Sequence, residues 1–125
     1  MTVMEKILFV GLGGAMGAIC RYLISMIPLD VDFPMLTMVT NILGAVLIGF
    51  VVGMAAGHDE LSPNVVLFWK TGVCGGFTTF STFSLEAFNL LEAGRTLAAV
   101  SYMLLSVVCC LIGVVAGMTL AKKIG

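Results

Sequence analysis

The placement of charge along this 125-residue chain constrains its fold more than any motif does. Residues 33–57 carry no charged side chain and 96–121 carry none; 7–27 carry only Arg21, and 61–91 only Lys70 and Glu86. About 20 predominantly apolar residues cross the hydrocarbon core of a bilayer. The pattern predicts an all-α membrane protein with four transmembrane helices, over 7–27, 33–57, 63–91 and 96–121, joined by short polar connections. Composition agrees. The chain is 60% hydrophobic and 10% charged, with a mean hydropathy of +1.16, whereas soluble domains carry about 25% charged residues. One transmembrane domain over residues 1–125 is expected, multi-pass in the cell (inner) membrane and surrounded by lipid.

The same features set aside other classes. A soluble enzyme is excluded by composition, no nucleophile–base pair stands out, and nothing points to nucleic acid. His58 sits beside Asp59 and Glu60 in a polar connection and reads as a solvated turn, with too few ligands for a metal. The first apolar stretch is long for a signal peptide core, and another span follows at once, so it is expected to remain as a helix. Cys20, Cys74, Cys109 and Cys110 form no C-x-x-C and read as small apolar packers. Basic residues show only a small bias, with Lys6, Lys122 and Lys123 on the side of the termini, Lys70 some way into the third span from that side, and Arg95 and Arg21 toward the other. The positive-inside rule then gives only a weak instruction, which permits insertion both ways up. Small-residue spacings (Gly13/Gly17, Gly49/Gly53/Gly57, Gly113/Gly117) predict close helix packing and favour an oligomer.

The third span is unusual. Gly72, Gly75 and Gly76 crowd one point ahead of Thr78 and Thr79. A glycine weakens a helix interior by about 1 kcal/mol against alanine, so a break near 72–78 is expected. The first half-helix would end near Gly75 with free carbonyls suited to a hard cation, and the second would begin near Thr78, whose hydroxyl would cap it. The alternative is that the glycines admit a neighbouring helix and the threonines bond back to their own turn. Phe77, Phe80 and Phe83 recur every third residue, interleaved with Thr78, Thr79, Ser81, Thr82 and Ser84. Ring edges are electropositive. With hydroxyl donors they replace an anion's water without a fixed charge, holding an ion weakly enough to let it leave. Asn41 in the second span, and Tyr102, Ser106 and Cys110 on one face of the fourth, add polar positions. These residues argue for a small anion and do not distinguish fluoride from chloride.

Three segments carry a family resemblance. Residues 13–22 (GGAMGAICRY), 41–44 (NILG) and 75–83 (GGFTTFSTF) resemble the signature blocks of the CrcB/Fluc fluoride channels, in order and over a chain of the expected length. The resemblance implies a fluoride-selective channel, not an enzyme, that lets fluoride leave the cell passively and protects against fluoride toxicity. It implies an antiparallel, dual-topology homodimer with two fluoride pathways, and a structural sodium ion at its centre held by the carbonyls of Gly75 and Thr78. Carried over by motif, Asn41, Phe80, Ser81, Thr82, Phe83, Tyr102 and Ser106 belong to the fluoride pathway and Arg21 to anion entry. Snorkelling of Arg21 to the interface is an equal explanation. Leu36 and Cys110 depart from the family pattern; a thiol is a weaker donor than a hydroxyl. A proton-coupled small multidrug-type transporter is the alternative from another class, but it needs a membrane-embedded carboxylate, and only Glu5 and Glu86 are candidates. A structural membrane subunit would explain the glycines and not the hydroxyl–phenyl pattern.

Overall fold

The computed structural model describes residues 2–125, and every regular element among them is helical. Helices α1 (Val3–Ser25) and α2 (Met35–Gly57) are unbroken. The third pass is assembled from pieces: α3 (Pro63–Leu67), a π-helical segment (Phe68–Cys74), α4 (Gly75–Phe77), the extended pair Thr78–Thr79, and α5 (Phe80–Glu92). Helix α6 (Thr96–Ile124) makes the fourth. α1, α2 and α6 are each long and apolar enough to cross a membrane.

Local chemistry sets the helix ends. Thr2 accepts from the Glu5 N–H at 3.2 Å to cap α1. Ser62 caps α3, with Pro63 in the first turn where its missing N–H is harmless. α5 ends in a Schellman motif: Gly94 takes φ +77°, the Arg95 N–H reaches the Leu90 carbonyl at 2.9 Å, and the Gly94 N–H reaches Leu91 at 3.0 Å. The Arg95 guanidinium then donates to the Asp32 carbonyl, tying the two connections on that side together.

Packing is inverted relative to a soluble domain. The interior holds small residues, among them Gly13, Gly17, Gly44, Gly49, Ala99, Gly113 and Gly117, while Leu8, Leu12, Leu104, Leu111 and Val115 point outward. Tyr102 is the one large side chain fully buried among the described residues. Lipid supplies no hydrophobic drive between helices, so close backbone approach holds them together. α2 packs along α6, and α1 along the π-helical segment and α4. At the second seam a Cβ on Gly76 would overlap the Gly14 carbonyl, and one on Gly17 the Val73 carbonyl.

Gly72 and Gly76 of the third pass therefore act as close-approach positions, while Gly75 faces open space in the protomer. Gly75 keeps helical dihedrals (φ −63°, ψ −36°), and the chain leaves the helix only at Thr78 (φ −83°, ψ 156°) and Thr79 (φ −147°, ψ 118°). The third helix is interrupted as expected, but at its threonines. Thr78 does not cap the second half: its hydroxyl bonds back to the Cys74 carbonyl at 2.9 Å. Thr79 is the cap, accepting from the Thr82 N–H at 3.1 Å.

Candidate functional site

The interruption is held from the side. Asn41 on α2 takes both backbone polar groups of Thr79, its Oδ1 accepting from the N–H at 2.8 Å and its Nδ2 donating to the carbonyl at 3.2 Å. Buried backbone groups outside a helix need such partners. The side chain thus plays the part of a neighbouring strand at a point where the helix provides none.

This arrangement frees two carbonyls. In a continuous helix the Thr79 N–H would bond the Gly75 carbonyl, and the Thr82 N–H the Thr78 carbonyl. Here the first donor goes to Asn41 and the second to the Thr79 hydroxyl. Neighbouring carbonyls are occupied: Cys74 by the Thr78 N–H at 3.0 Å, and Gly76 by Arg21 Nε at 3.1 Å. Gly75 and Thr78 thus present oxygen acceptors whose helical donors have been diverted, the chemistry a hard cation requires.

Both freed carbonyls belong to residues lining a groove of about 390 Å³. Asn41, Phe80, Phe83 and Ser106 line it too. The Phe80 and Phe83 rings lie 5.6 Å apart between centroids at 41°, and Phe83 lies 5.1 Å from Tyr102 at 46°. Phe33 closes the row, edge-on to Tyr102 at 5.5 Å. Ser106 is 5% exposed, and its hydroxyl lacks a partner within the described residues. An unpaired buried donor costs about 1–3 kcal/mol in a folded protein, and this hydroxyl is free to bond to a group in the groove.

Other expected site residues lie apart from this groove. Tyr102 sits behind Phe83 and donates to Glu86 Oε1 at 3.2 Å. Thr82 and Arg21 line a smaller pocket of about 60 Å³, together with Thr37, Thr40 and Thr79. Ser81 is exposed, with its hydroxyl 3.3 Å from that of Thr79. Of the pathway residues expected from sequence, Asn41, Phe80, Phe83 and Ser106 line the groove and Thr82 the smaller pocket, Ser81 and Tyr102 line neither, and Thr79 touches both.

Comparison with known proteins shows the family. The profile of a family described as "CrcB-like protein, Camphor Resistance (CrcB)" matches residues 8–118. The chain belongs to the CrcB family. A relative from Ruminiclostridium cellulolyticum, named fluoride-specific ion channel FluC, is 42% identical over 127 residues, covering 99% of this chain and 98% of the relative. Proteins of the same name from Clostridium perfringens and Flavobacterium psychrophilum are 42% and 39% identical, covering 95% and 97% of this chain and 98% and 100% of their own. These matches place the chain among multi-pass membrane channels and outside the enzymes, and they displace the drug-transporter alternative.

Three features of this CrcB chain escaped the sequence reading. Thr79 is the cap and the partner of Asn41, roles its sequence signal shared with Thr78. Cys74, which the sequence reads only as an apolar packer, lines the main groove beside Cys110 of the polar face of α6. Lys70 lines it as well, so the groove is not free of fixed charge. The π-helical segment Phe68–Cys74 brings it there, and no local sequence signature announces that turn.

Proposed function

We propose that this chain is the subunit of a fluoride-selective channel through which fluoride leaves the cell passively. The observation that carries the reading is the groove beside the helix break, where the Phe80 and Phe83 rings, the Asn41 amide and the open Ser106 hydroxyl converge. The names borne by full-length relatives support fluoride as the ion.

In this reading a fluoride ion exchanges its water for donors that carry no charge. Ring edges of Phe80 and Phe83 and the Ser106 O–H face it in turn. Asn41 uses one N–H of its amide on Thr79 and keeps the other for the anion. Tyr102, engaged with Glu86, supports Phe83 from behind. Thr82 supplies a hydroxyl beside the smaller pocket, where Arg21, fixed by its bond to Gly76, keeps further N–H groups for an arriving anion, and Ser81 adds an exposed hydroxyl next to that of Thr79. Neutral donors hold the ion long enough to enter and release it readily. An interior-negative potential supplies about 2.3 kcal/mol per charge per 100 mV for outward movement.

The assembly in this reading is an antiparallel homodimer in the cell membrane, with residues 1–125 of each copy as one transmembrane domain. Phe80 is 79% exposed on one protomer, and a large ring so placed at the break suits a partner's face. The diverted donors at Gly75 and Thr78 fit a sodium ion shared between two copies, the carbonyl oxygens holding it and the ion joining the subunits at their centre.

The test is anion efflux from liposomes holding the purified protein, with fluoride and chloride electrodes in parallel and valinomycin setting the voltage. Fast fluoride release without chloride release is expected. A verified dimer that moved neither anion would end the channel reading.

A further inference from the structure

Lys70 is a charged side chain inside the third pass that the reading above leaves without a role. It is exposed, and no ion pair engages it among the described residues. It nonetheless lines the same groove as Gly75, Phe80 and Ser106. The backbone explains how. In an α-helix residues i and i+5 point well apart. Lys70 and Gly75 are five apart and lie across the π-helical segment Phe68–Cys74, whose wider turn joins i to i+5. That wider turn brings the Lys70 stem and Gly75, three residues ahead of the break, onto one face.

Chain direction fixes where along the groove Lys70 stands. The third pass starts on the side of the 57–63 connection, so Lys70 lies toward that side, with Ile48 of α2 and Val114 of α6. Asn41, Phe83 and Ser106 lie toward the opposite end. Ten residues separate Lys70 from Phe80, or about 15 Å at the helical rise. The charge is therefore in the groove but away from the rings.

We infer that Lys70 is an electrostatic collector, a fixed positive charge at one end of the groove that raises the local concentration of a small anion without binding it at the rings. The inference rests on the channel reading. A cation beside the rings would hold the anion and slow its release, whereas one set back by about two turns attracts and then lets go. A groove walled by low-dielectric side chains focuses such a field. The antiparallel dimer puts one Lys70 toward each side of the membrane, so collection works from both.

Ionic strength provides the test, since the screening length is about 30 Å at 0.01 M and about 3 Å at 1 M. Fluoride flux would be measured at subsaturating fluoride for the wild-type protein, Lys70→Gln and Lys70→Arg, at 0.01 M and 1 M sodium isethionate. K70Q is expected to lower flux about tenfold at low salt, the lower end of electrostatic steering, and to match the wild-type protein at 1 M. K70R should keep wild-type flux at both. Equal flux for wild type and K70Q at low salt would overturn the collector alone, as would a K70Q loss that ignores salt or a K70R that behaves as K70Q. A wild-type protein that moved no fluoride at either strength would overturn the channel reading and the collector together.

Discussion

Asn41 holds the Thr79 peptide by both its N–H and its carbonyl, at 2.8 and 3.2 Å, so one side chain of the second pass carries the broken backbone of the third. Asn41→Ala leaves two part-buried backbone groups without partners and should lower stability by about 1 kcal/mol, read as a lower midpoint when unfolding is followed by Trp69 fluorescence. Asn41→Asp keeps an acceptor for the N–H but sets a negative oxygen against the Thr79 carbonyl and into the path of an anion. It should stop fluoride flux. Flux at the wild-type level in N41D would remove Asn41 from the pathway.

Phe80 makes little contact within its own protomer, so replacing it tests conduction more than folding. Phe80→Ile should cut fluoride flux at least tenfold, with the dimer still seen by cross-linking and size-exclusion chromatography. Unchanged flux would take that ring edge out of the mechanism.

Two adjacent glycines should respond differently to a methyl group. Gly76→Ala drives a Cβ into the Gly14 backbone, where neither helix has room to give; overpacking of this kind costs about 1–3 kcal/mol. Gly75→Ala meets no atom within 4 Å in the protomer, so its fold should persist while dimer assembly weakens. Chemical cross-linking in liposomes, with thermal unfolding alongside, separates the outcomes. Equal damage to the fold from both variants would count against Gly75 facing the partner.

Replacing sodium by N-methyl-D-glucamine should weaken the dimer, since an ion bound only by the assembled protein adds about 2.7 kcal/mol when present at a hundred times its dissociation constant. Sedimentation in detergent would report the shift. A dimer indifferent to sodium would leave the Gly75 and Thr78 carbonyls without the proposed ligand.

The four passes were legible because charge-free length is a direct consequence of bilayer thickness, and an interrupted third helix because three glycines crowd one point. Where the helix breaks was not. Gly75–Gly76 signals a break and a close approach equally well, and the decision rests with Gly14, sixty residues away, whose carbonyl sits where a Cβ on Gly76 would be. Thr78 and Thr79 are alike in sequence, and only the reach of Asn41 separates their roles. The π-helical turn that brings Lys70 to the groove carried no local signature at all. Ring spacing at Phe80 and Phe83 was readable, since residues three apart on a helix are neighbours.

A bundle that buries glycine and alanine and shows leucine to its surroundings also has an unusual temperature response in store. The large heat-capacity change of protein unfolding comes from apolar groups meeting water. Here helices drawn apart within the bilayer would exchange contact with one another for contact with hydrocarbon chains, and their outer side chains would notice no change of solvent. The free energy of separating the passes should therefore run close to linear with temperature, without the dome and cold limit of a soluble domain.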